Sequence, residues 1–476
     1  MRRIAIAGGG IAGLSIAHAL RQSDPGVELV VLERQDRVGG NIRTEVLDGY
    51  RCEWGPDGFL DNAPATLKLA EAVGLGPRLL PSRDEARRRF IFRHGRLHEV
   101  PVSIGAFARS PLLSFGGKAR IALEPLARRR KGDDETIHEF AARRIGSEAA
   151  SVLVDSMVSG IFAGDASALS LRACFPRMWQ LETEYGSLVR AMLATRRNRS
   201  KEDAVGAPAG RLTSFTDGMS ELPDGVARAL DGTVRTGAPV LQLRKGRQRD
   251  AFANGAATGY TITTSSGTID ADAVVLTGPS AESAVLVSAF DTTLGALLAG
   301  IETAPLAVVC LGYDAAALAA NRGPLDGFGF LVPRSEGTRI LGTLWETSIY
   351  PNRAPEGKAL LRVMIGGAVD PQAGKLDDEG LLTAVRADLA RTMGLSLAPE
   401  FVRIIRHRRG IPQYTRGHVA RLHRIDTLLK AHPGLYLAGN SYRGVAINAC
   451  IAEAGAIAER VLDGINSQVP TSNSQV

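Results

Sequence analysis

The sequence predicts an α/β protein in which a discontinuous Rossmann-like domain is joined to a second domain with a mixed sheet and to a helical lobe. Three observations predict this fold class. Residues 1–40 carry a βαβ pattern around a glycine-rich turn. Buried strand patterns that complete the same sheet return at 272–277 and 435–440, and the strand-like runs of a second sheet lie between them.

The first forty residues have the pattern of a dinucleotide-binding site. An apolar strand at residues 4–7 leads into G-x-G-x-x-G, a helix, and a second strand at 27–32. The first glycine permits the tight turn, the second lets a pyrophosphate approach the backbone, and the third lets helix and strand pack closely. The helix N-terminus attracts phosphates, and the acidic residue twenty positions further on can bind ribose hydroxyls. The contacts predicted here are Gly8, Gly9, Gly10, Ile11, Ala12, Gly13 and Glu33.

Composition excludes several classes of function. The chain has 476 residues, of which 45% are hydrophobic and 22% charged, and a net charge of +7, as in ordinary soluble proteins. Aromatic residues make up only 5%, so the basic excess suits an anionic small substrate or an anionic membrane surface better than nucleic acid. Four scattered cysteines and eight histidines show no metal-ligand spacing. We therefore expect no metal, and a cytoplasmic protein that is soluble or peripheral on the cytoplasmic face of the membrane.

A second glycine pair narrows the choice of dinucleotide. The stretch RQDRVGGN at 34–41 resembles an extension found in FAD-dependent amine oxidases, phytoene desaturases and protoporphyrinogen oxidases. In those families it lies along FAD with the arginine near the phosphates; the alternative is an ordinary loop with two turn glycines. This resemblance favours FAD over NAD, and we expect no separate nicotinamide domain because no second G-x-G-x-x-G stands out. The resemblance implies contacts from Arg34, Arg37, Gly39, Gly40 and Asn41.

Basic residues mark two segments of the middle of the chain. Residues 87–89, three consecutive arginines, are predicted to lie on a strand that turns at 94–95, so that they point to alternate faces. From the sequence alone, two interpretations of these arginines stay equally open: a role in binding, and a solvated entrance to the strand. Residues 101–131 are amphipathic and basic, and we prefer a helical lobe with a solvated edge to a surface resting on an anionic bilayer.

The remaining patterns place the second sheet and the chain end. Strand-like runs occur at 307–313, 327–332, 339–345 and 361–367, followed by a helix at 381–393 and a basic strand at 401–409. Residues 196–210 are predicted to form an exposed loop. The last helix is predicted at 445–462, and residues 464–476 form a disordered tail.

Several stretches together resemble the protoporphyrinogen oxidase family over nearly the whole chain. GIPQYTRGH and GIFAGDASALSL are the more specific, because the glycine loop is common to many flavoproteins. The stretches are GGGIAG at 8–13, GPDGFLDNAPAT at 55–66, SGIFAGDASALSL at 159–171, GFGFLVP at 327–333, LGTLWETSIYPNRAPEG at 341–357, GIPQYTRGH at 410–418 and LAGNSYRGVAINACI at 437–451.

The resemblance implies how the chain is divided. FAD would lie extended across the first domain, with a porphyrinogen in a cavity between that domain and the second sheet. The implied segments are an FAD-binding domain at 1–85, 211–290 and 415–463, a substrate-domain hairpin at 86–100, a helical lobe at 101–195 that faces a membrane or solvent, a substrate-binding domain at 291–414 and the tail at 464–476.

The resemblance also implies site residues. Further FAD contacts would come from Gly55, Pro56, Asp57, Gly58, Val240, His407, Gly444, Val445 and Ala446. Arg89 would bind a substrate propionate, because a guanidinium suits a carboxylate. The other implied substrate contacts are Ala163, Gly164, Phe330, Leu331 and Trp345, with Phe330 and Leu331 on one apolar wall. This sequence departs from many relatives at Asp57, His407 and Ala446, where Asn, Trp and Gly are common.

The implied reaction is the six-electron oxidation of protoporphyrinogen to protoporphyrin in three hydride transfers to flavin N5, with dioxygen as the final acceptor and hydrogen peroxide released. Such chemistry needs placement more than side-chain catalysis, and no nucleophilic triad is present. Asp57 is the one candidate proton acceptor, against a turn-forming role. Open alternatives are a coproporphyrinogen oxidase, an amine oxidase or carotenoid desaturase, and a non-catalytic tetrapyrrole-binding flavoprotein. The protein is expected to be a monomer or a homodimer.

Overall fold

The computed structural model describes residues 2–130, 132–198, 210–246 and 259–467. The strands, numbered in chain order, are β1 (Arg3–Ala7), β2 (Glu28–Leu32), β3 (Thr44–Leu47), β4 (Tyr50–Glu53), β5 (Phe59–Leu60), β6 (Leu79–Pro81), β7 (Phe90–Arg93), β8 (Arg96–Glu99), β9 (Leu212–Phe215), β10 (Val234–Arg235), β11 (Val240–Lys245), β12 (Tyr260–Thr264), β13 (Gly267–Ala271), β14 (Ala273–Leu276), β15 (Thr303–Asp314), β16 (Gly329–Leu331), β17 (Ile340–Trp345), β18 (Lys358–Gly366), β19 (Phe401–Pro412) and β20 (Leu435–Leu437).

The helices connect these strands and build a separate lobe. They are α1 (Ile11–Ser23), α2 (Pro64–Ala72), α3 (Ile104–Arg109), α4 (Phe115–Ala122), α5 (Ile137–Ile145), α6 (Ser147–Ala149), α7 (Asp155–Phe162), α8 (Leu171–Cys174), α9 (Pro176–Tyr185), α10 (Leu188–Asn198), α11 (Glu221–Ala229), α12 (Ser280–Ser288), α13 (Thr292–Ala299), α14 (Ala315–Arg322), α15 (Glu346–Ile349), α16 (Asp378–Met393), α17 (His418–Leu429) and α18 (Ile447–Asn466).

A five-stranded parallel sheet forms the first domain. Its order is β10-β2-β1-β14-β20, so its strands come from widely separated parts of the chain. Ile4 and Ile6 of β1 pack in the core with α1 and α18, whereas Ala5 faces the core with α12 and α13. Helices on both faces bury residues 4–6 of β1, residues 29–32 of β2 and all of β14, which explains the unbroken apolar runs of these strands. The predicted fold class, with a discontinuous Rossmann-like domain, is confirmed.

A seven-stranded mixed sheet forms the second domain, in the order β19-β15-β18-β17-β16-β7-β8. The β7–β8 hairpin joins its end through parallel pairing of β7 with β16. One face packs on α16, and the other packs on the β3–β4 hairpin of the first domain. Helix α13, within the segment assigned by sequence to the second domain, packs in the core of the first sheet, because Leu294 and Leu298 are buried there.

The helical lobe from α3 to α10 encloses a buried ionic cluster. Arg144 is fully buried and pairs with Glu124 at 3.3 Å and with Glu182. Glu124 also accepts hydrogen bonds from the first N–H groups of α10, at Leu188 and Val189. A guanidinium that satisfies two carboxylates in this way removes the penalty of burying unpaired charge.

Three local predictions differ from the structure. The triple arginine does not lie on a strand, since residues 84–87 form a short 3₁₀ turn and β7 begins only at Phe90. Buried Ala86 anchors this turn, and the Arg88 N–H donates to the Glu85 carbonyl at 3.0 Å. Helix α18 continues to Asn466 and α10 to Asn198, so helix takes the first residues of the predicted tail and loop. Residues 199–209 and 468–476 lie outside the described residues.

Candidate active site

The glycine turn between β1 and α1 forms a cradle of the shape that a pyrophosphate needs. Gly8 has φ +120°, and a Cβ on Gly13 would lie 2.1 Å from the Gly8 carbonyl oxygen. A Cβ on Gly10, in contrast, would meet nothing within 4 Å. Two glycines are therefore required by the packing of the protein itself, whereas Gly10 faces open space. Ile11 and Ala12 begin α1, whose free N–H groups point towards this space.

Glu33 follows β2 and is fixed beside the glycine turn. Its Oε2 accepts the Gly9 N–H at 2.7 Å, and its Oε1 accepts the Gln35 N–H at 2.9 Å. Each carboxylate oxygen keeps a further lone pair that can accept a ribose hydroxyl. Val240 begins β11, two residues after Ala238, whose N–H donates to the Glu33 carbonyl at 2.8 Å.

The second glycine pair packs directly on the first turn. The Gly39 N–H donates to the Gly9 carbonyl at 2.8 Å, and a Cβ on Gly40 would be 3.5 Å from Gly10 Cα. Arg37 donates to the carbonyls of Val38 and Gly40 and so closes this turn; burial lowers the pKa of Arg37.

The other two predicted FAD contacts of this segment, Arg34 and Asn41, are exposed to solvent. Arg34 is half-exposed and pairs with Glu282, and Asn41 is exposed with its carbonyl against Gly55.

The loop Gly55–Gly58, with Pro56 and Asp57 at its centre, is held by the second domain. Arg362 of β18 donates to the Gly55 carbonyl, and Arg362 Nη1 lies 3.8 Å from Asp57 Oδ1. His407 of β19 is hydrogen-bonded through Nε2 to the Trp54 carbonyl at 2.8 Å. Burial lowers the pKa of His407, so the neutral imidazole is favoured at this position.

The segment Gly444–Ala446, whose three residues are predicted to contact FAD, leads into the N-terminus of α18. Gly444 has φ +124°, Ala446 is the N-cap of α18, and Val445 packs against the helical lobe. Tyr414 holds this segment: its hydroxyl donates to the Asn440 carbonyl at 2.5 Å and accepts the Gly444 N–H at 2.8 Å. Sequence reasoning quoted the motif GIPQYTRGH but assigned Tyr414 no role.

Arg89 lies at the entrance of the second sheet, as an exposed residue. Its guanidinium carbon is 4.9 Å from the centre of the Phe328 ring, and none of the described residues places a carboxylate within 4.0 Å of it. Arg88 instead pairs with both Glu99 and Asp326. Arg89 is therefore an available cation stacked on an aromatic ring, as a carboxylate-binding arginine requires.

Ala163 is the left-handed C-cap of α7, and Gly164 follows it. Ala163 has φ +45°, and its carbonyl accepts the Ala368 N–H at 2.7 Å. A Cβ on Gly164 would lie 2.6 Å from Gln413 Oε1. Both residues are thus brought against β19 and the residues that follow β18, where they are buried.

Phe330, Leu331 and Trp345 do not share one wall. Consecutive residues of β16 point to opposite faces, so Phe330 packs in the core with α16 while Leu331 contacts Gly160 of α7. Trp345 lies on the Phe330 face, 2% exposed, with its ring centre 5.4 Å from that of Phe90. The prediction that Phe330 and Leu331 line the same wall is wrong, and Leu331 is the residue on the face that looks towards the first domain.

A group of buried charges next to the loop Gly55–Gly58 was missed by sequence reasoning. It contains Glu53, Asp57, Glu346, Arg353 and Arg362, which come from three stretches of the chain, around 53–57, 346–353 and 362. Burial raises the pKa of Glu53 to about 7. Burial and the charge of Asp57 raise the pKa of Glu346 to about 7. Only the excess of charged residues inside otherwise apolar strands, such as Arg362 in β18, could have indicated this cluster.

Comparison with known proteins identifies the family. The model of the flavin-containing amine oxidoreductases matches residues 11–462. A coproporphyrinogen III oxidase of Bacillus subtilis is 30% identical over 94% of this chain and 96% of its own length. Chloroplastic protoporphyrinogen oxidase 1 of Spinacia oleracea is 33% identical over 96% of this chain and 84% of its own length. Protoporphyrinogen oxidase of Bos taurus is 33% identical over 97% of this chain and 98% of its own length.

Solved structures agree with this result. The crystal structure of an Exiguobacterium sp. 255-15 protein, described as a candidate protoporphyrinogen oxidase, has a TM-score of 0.81 and 28% identity over 97% of this chain and 98% of its own. Reduced UDP-galactopyranose mutase, at 15% identity, shares the fold with a TM-score of 0.70 over 98% of each chain.

The chain belongs to the flavin-containing amine oxidoreductase family. It is an FAD-dependent oxidase, and the prediction of FAD as cofactor is confirmed. The open space at Gly10 and the free N–H groups of α1 fit the pyrophosphate of this cofactor.

Proposed function

We propose that this protein oxidises protoporphyrinogen IX to protoporphyrin IX, with dioxygen as the final electron acceptor and hydrogen peroxide as a product. The names of its relatives support a porphyrinogen as the substrate. The single structural observation that carries the proposal is Arg89, an available cation beside Phe328 at the edge of the second sheet. A tetrapyrrole with propionate arms offers a carboxylate and an apolar ring to this pair.

Different residues of the chain would bind the cofactor, bind the substrate and exclude water. The glycine turn with Glu33 and the segment Gly444–Ala446 would hold FAD, which when bound accepts a hydride from a methylene bridge of the substrate. Arg89 would fix one propionate. Leu331, on the face that looks towards the first domain, would exclude water from the macrocycle. Because these roles are placement and exclusion of water, no side-chain nucleophile is required.

The choice between protoporphyrinogen and coproporphyrinogen depends on how many carboxylates are bound. Of the three consecutive arginines, Arg88 is neutralised by Glu99 and Asp326, and Arg87 pairs with Asp84 at 3.2 Å. One available guanidinium favours the substrate with two propionates over the one with four. The relative from Bacillus subtilis keeps coproporphyrinogen as the second candidate.

A fluorescence assay of porphyrin formation with both substrates tests the proposal. We expect porphyrin and peroxide from both porphyrinogens, with the higher kcat/KM for protoporphyrinogen. A higher kcat/KM for coproporphyrinogen would select the second candidate. Flavin-loaded protein that forms neither porphyrin nor peroxide would contradict both and would favour a tetrapyrrole-binding flavoprotein without turnover.

We also propose that the helical lobe contacts an anionic bilayer. Of the helices in the described residues, none has the length and apolar character to span a membrane. The segment around α3 and α4, however, exposes apolar side chains among Arg109 and Lys118, which suits the interface of an anionic membrane. These side chains are Val102 (91% exposed), Ile104 (90%), Phe115 (88%) and Leu126 (76%).

Vesicle sedimentation tests this contact. The double variant Ile104→Ser, Phe115→Ser should bind phosphatidylglycerol vesicles less than the unchanged protein, whereas Val285→Ser, an exposed apolar position on α12, should not differ from it. Equal binding by all three proteins would contradict the assignment.

A further inference from the structure

The buried charges behind the loop Gly55–Gly58 lie on the face of the second sheet that looks towards the first domain. Arg362 shares this face with Leu360, which packs against Tyr50 and Cys52 of the β3–β4 hairpin. Glu346 begins α15 directly after β17, and it is 1% exposed. Burying an ionised group away from water costs free energy unless the group is paired with an opposite charge or shares a proton.

A single guanidinium links Glu346 to the loop. Arg362 Nη1 lies 3.5 Å from Glu346 Oε1 and 3.8 Å from Asp57 Oδ1, and Arg362 also donates to the Gly55 carbonyl. Neither oxygen of Glu346, nor Oδ2 of Asp57, has a hydrogen-bond partner among the described residues. These buried oxygens are acceptors left available next to the loop that is expected to lie along FAD.

The charges of the cluster do not balance when all its groups are ionised. The carboxyl groups of Glu53, Asp57 and Glu346 face the guanidinium groups of Arg353 and Arg362, which leaves one excess negative charge. Further titratable groups next to Glu346 or Arg362 are the Tyr350 hydroxyl, the Cys310 thiol and the His407 imidazole. Burial raises the pKa of Tyr350 and lowers that of His407, and a hydrogen bond with Cys52 together with burial raises the pKa of Cys310, so that all three are neutral. One proton on a carboxyl group makes the cluster neutral.

Of the three carboxyl groups, Glu346 is the best placed to gain and lose that proton. Burial raises the pKa of Glu53 to about 7 as well, but Glu53 accepts hydrogen bonds from Thr44 Oγ1 at 2.9 Å and from the Met219 N–H at 2.9 Å, and both favour its ionised form. Glu346 has no hydrogen-bond donor among the described residues, and its cationic neighbour is Arg362, at 3.5 Å. The pKa of Glu346 near 7 is consistent with exchange at neutral pH.

We propose that Glu346 is the proton acceptor of the oxidation, reached through Asp57, with Arg362 holding both carboxyl groups at the loop. The inference rests on the proposed function. With FAD bound as the hydride acceptor, each two-electron step would break one C–H bond and one pyrrole N–H bond of the substrate. The proton released from the pyrrole nitrogen would form the O–H bond of the Glu346 carboxyl and then leave to solvent. Because Glu346 acts through Asp57, it is a positioning residue and not a catalytic one.

Infrared difference spectroscopy of the FAD-loaded enzyme tests the inference without turnover. A pH titration of the oxidised holoenzyme should show the C=O band of a protonated carboxyl that disappears as the pH rises through about 7, and photochemical reduction near neutral pH should increase that band. Glu346→Gln should abolish both signals. Glu53→Gln removes a second carboxyl of the same cluster, and it should keep the Glu346 band at low pH but move its disappearance to lower pH, because the charge of Glu53 raises the pKa of Glu346.

The outcomes separate the possibilities. No carboxyl band in the unchanged protein would overturn the inference without any variant. Loss of the band in Glu53→Gln and its persistence in Glu346→Gln would assign the proton to Glu53 and overturn it as well. A holoenzyme that oxidises no porphyrinogen while its Glu346 band titrates would contradict the proposed function, and with it the role in oxidation, but not the protonation of Glu346.

Kinetics provides a second readout. Glu346→Gln should lower kcat by about 100-fold, the usual contribution of a proton-transfer group, with an unchanged KM for the porphyrinogen. The rise of kcat with pH through about 7 should disappear. In Asp57→Asn the infrared transition should move to lower pH, because the charge of Asp57 raises the pKa of Glu346. An unchanged pH profile in Glu346→Gln would contradict the inference.

Discussion

The hydroxyl of Tyr414 connects the motif GIPQYTRGH to the cofactor site. It bridges the Asn440 carbonyl and the Gly444 N–H and so fixes the entry to α18. We expect Tyr414→Phe to weaken FAD binding by up to about 30-fold, because two neutral hydrogen bonds at about 1 kcal/mol each are lost while the ring and its packing remain. Fluorescence of FAD released on dilution measures the affinity.

Tyr436→Phe is the control for this prediction. Its hydroxyl donates to the Arg460 carbonyl at 3.1 Å, away from the segment Gly444–Ala446. Its affinity for FAD should equal that of the unchanged protein. Equal loss in both variants would mean that Tyr414 acts through general stability and not through the segment.

Arg89 is the residue on which substrate binding is expected to depend. Arg89→Ala should raise KM for the porphyrinogen about 10- to 100-fold, since a hydrogen bond between charged groups contributes about 1.5 to 3 kcal/mol. The flavin absorbance spectrum should not change. Arg87→Ala, at a side chain 76% exposed, is the matched control and should keep the original KM. Loss of flavin from Arg89→Ala would refute the assigned role.

Among the elements, the glycine turn before α1 separates folding from cofactor binding. A Cβ at Gly13 would meet the Gly8 carbonyl at 2.1 Å, so Gly13→Ala should destabilise the apoprotein by about 1 to 3 kcal/mol through overpacking. A Cβ at Gly10 meets nothing within 4 Å. Gly10→Ala should therefore keep the Tm of the apoprotein and lower the affinity for FAD. Equal Tm losses in the two variants would contradict this division.

Elements whose pattern lies within neighbouring residues were predicted well from the sequence. Elements whose boundaries depend on tertiary packing were not. The strand, glycine turn and helix at the N-terminus depend on neighbouring residues alone, and the structure has them as predicted. The three arginines at 87–89 were placed on a strand because polar residues beside an apolar run give no sign of where pairing starts. Buried Ala86 and the 3₁₀ turn decide it.

The error at Phe330 and Leu331 has the same origin. The motif GFGFLVP identifies the segment, but only the pairing of β16 with β17 and β7 determines which side of the strand meets α16 and which meets α7. A shift of one residue reverses the two faces. The resemblance to a family therefore identified the segment but did not indicate which of its two residues lies on the face that looks towards the first domain.

At the scale of the whole molecule, the buried carboxyl of Glu53 makes stability depend on pH. Burial raises its pKa from 4.5 to about 7, so the folded protein binds a proton that the unfolded chain has already lost. Stability from the neutral carboxyl is complete below pH 4.5 and is lost as pH rises to about 7. We expect Glu53→Gln to gain stability relative to the unchanged protein across this window, by at most about 3 kcal/mol.

Chemical denaturation at a series of pH values between these limits measures this difference. The gap between the two proteins should widen up to about pH 7 and then stay constant, because both states are ionised above it. A gap that narrows with rising pH would show that the hydrogen bonds from Thr44 and Met219 outweigh burial and hold the pKa of Glu53 low.

The sequence by itself determined the Rossmann-like domain, the family and the cofactor, because a phosphate-binding turn and its βαβ unit are encoded within forty residues and the family motifs are contiguous. Only the tertiary structure determined which side chains lie behind the loop Gly55–Gly58. Asp57 is far in sequence from Glu346 and Arg362, which belong to different elements, α15 and β18, and the pKa of Glu346 near 7 arises from burial and from neighbours that no local pattern contains.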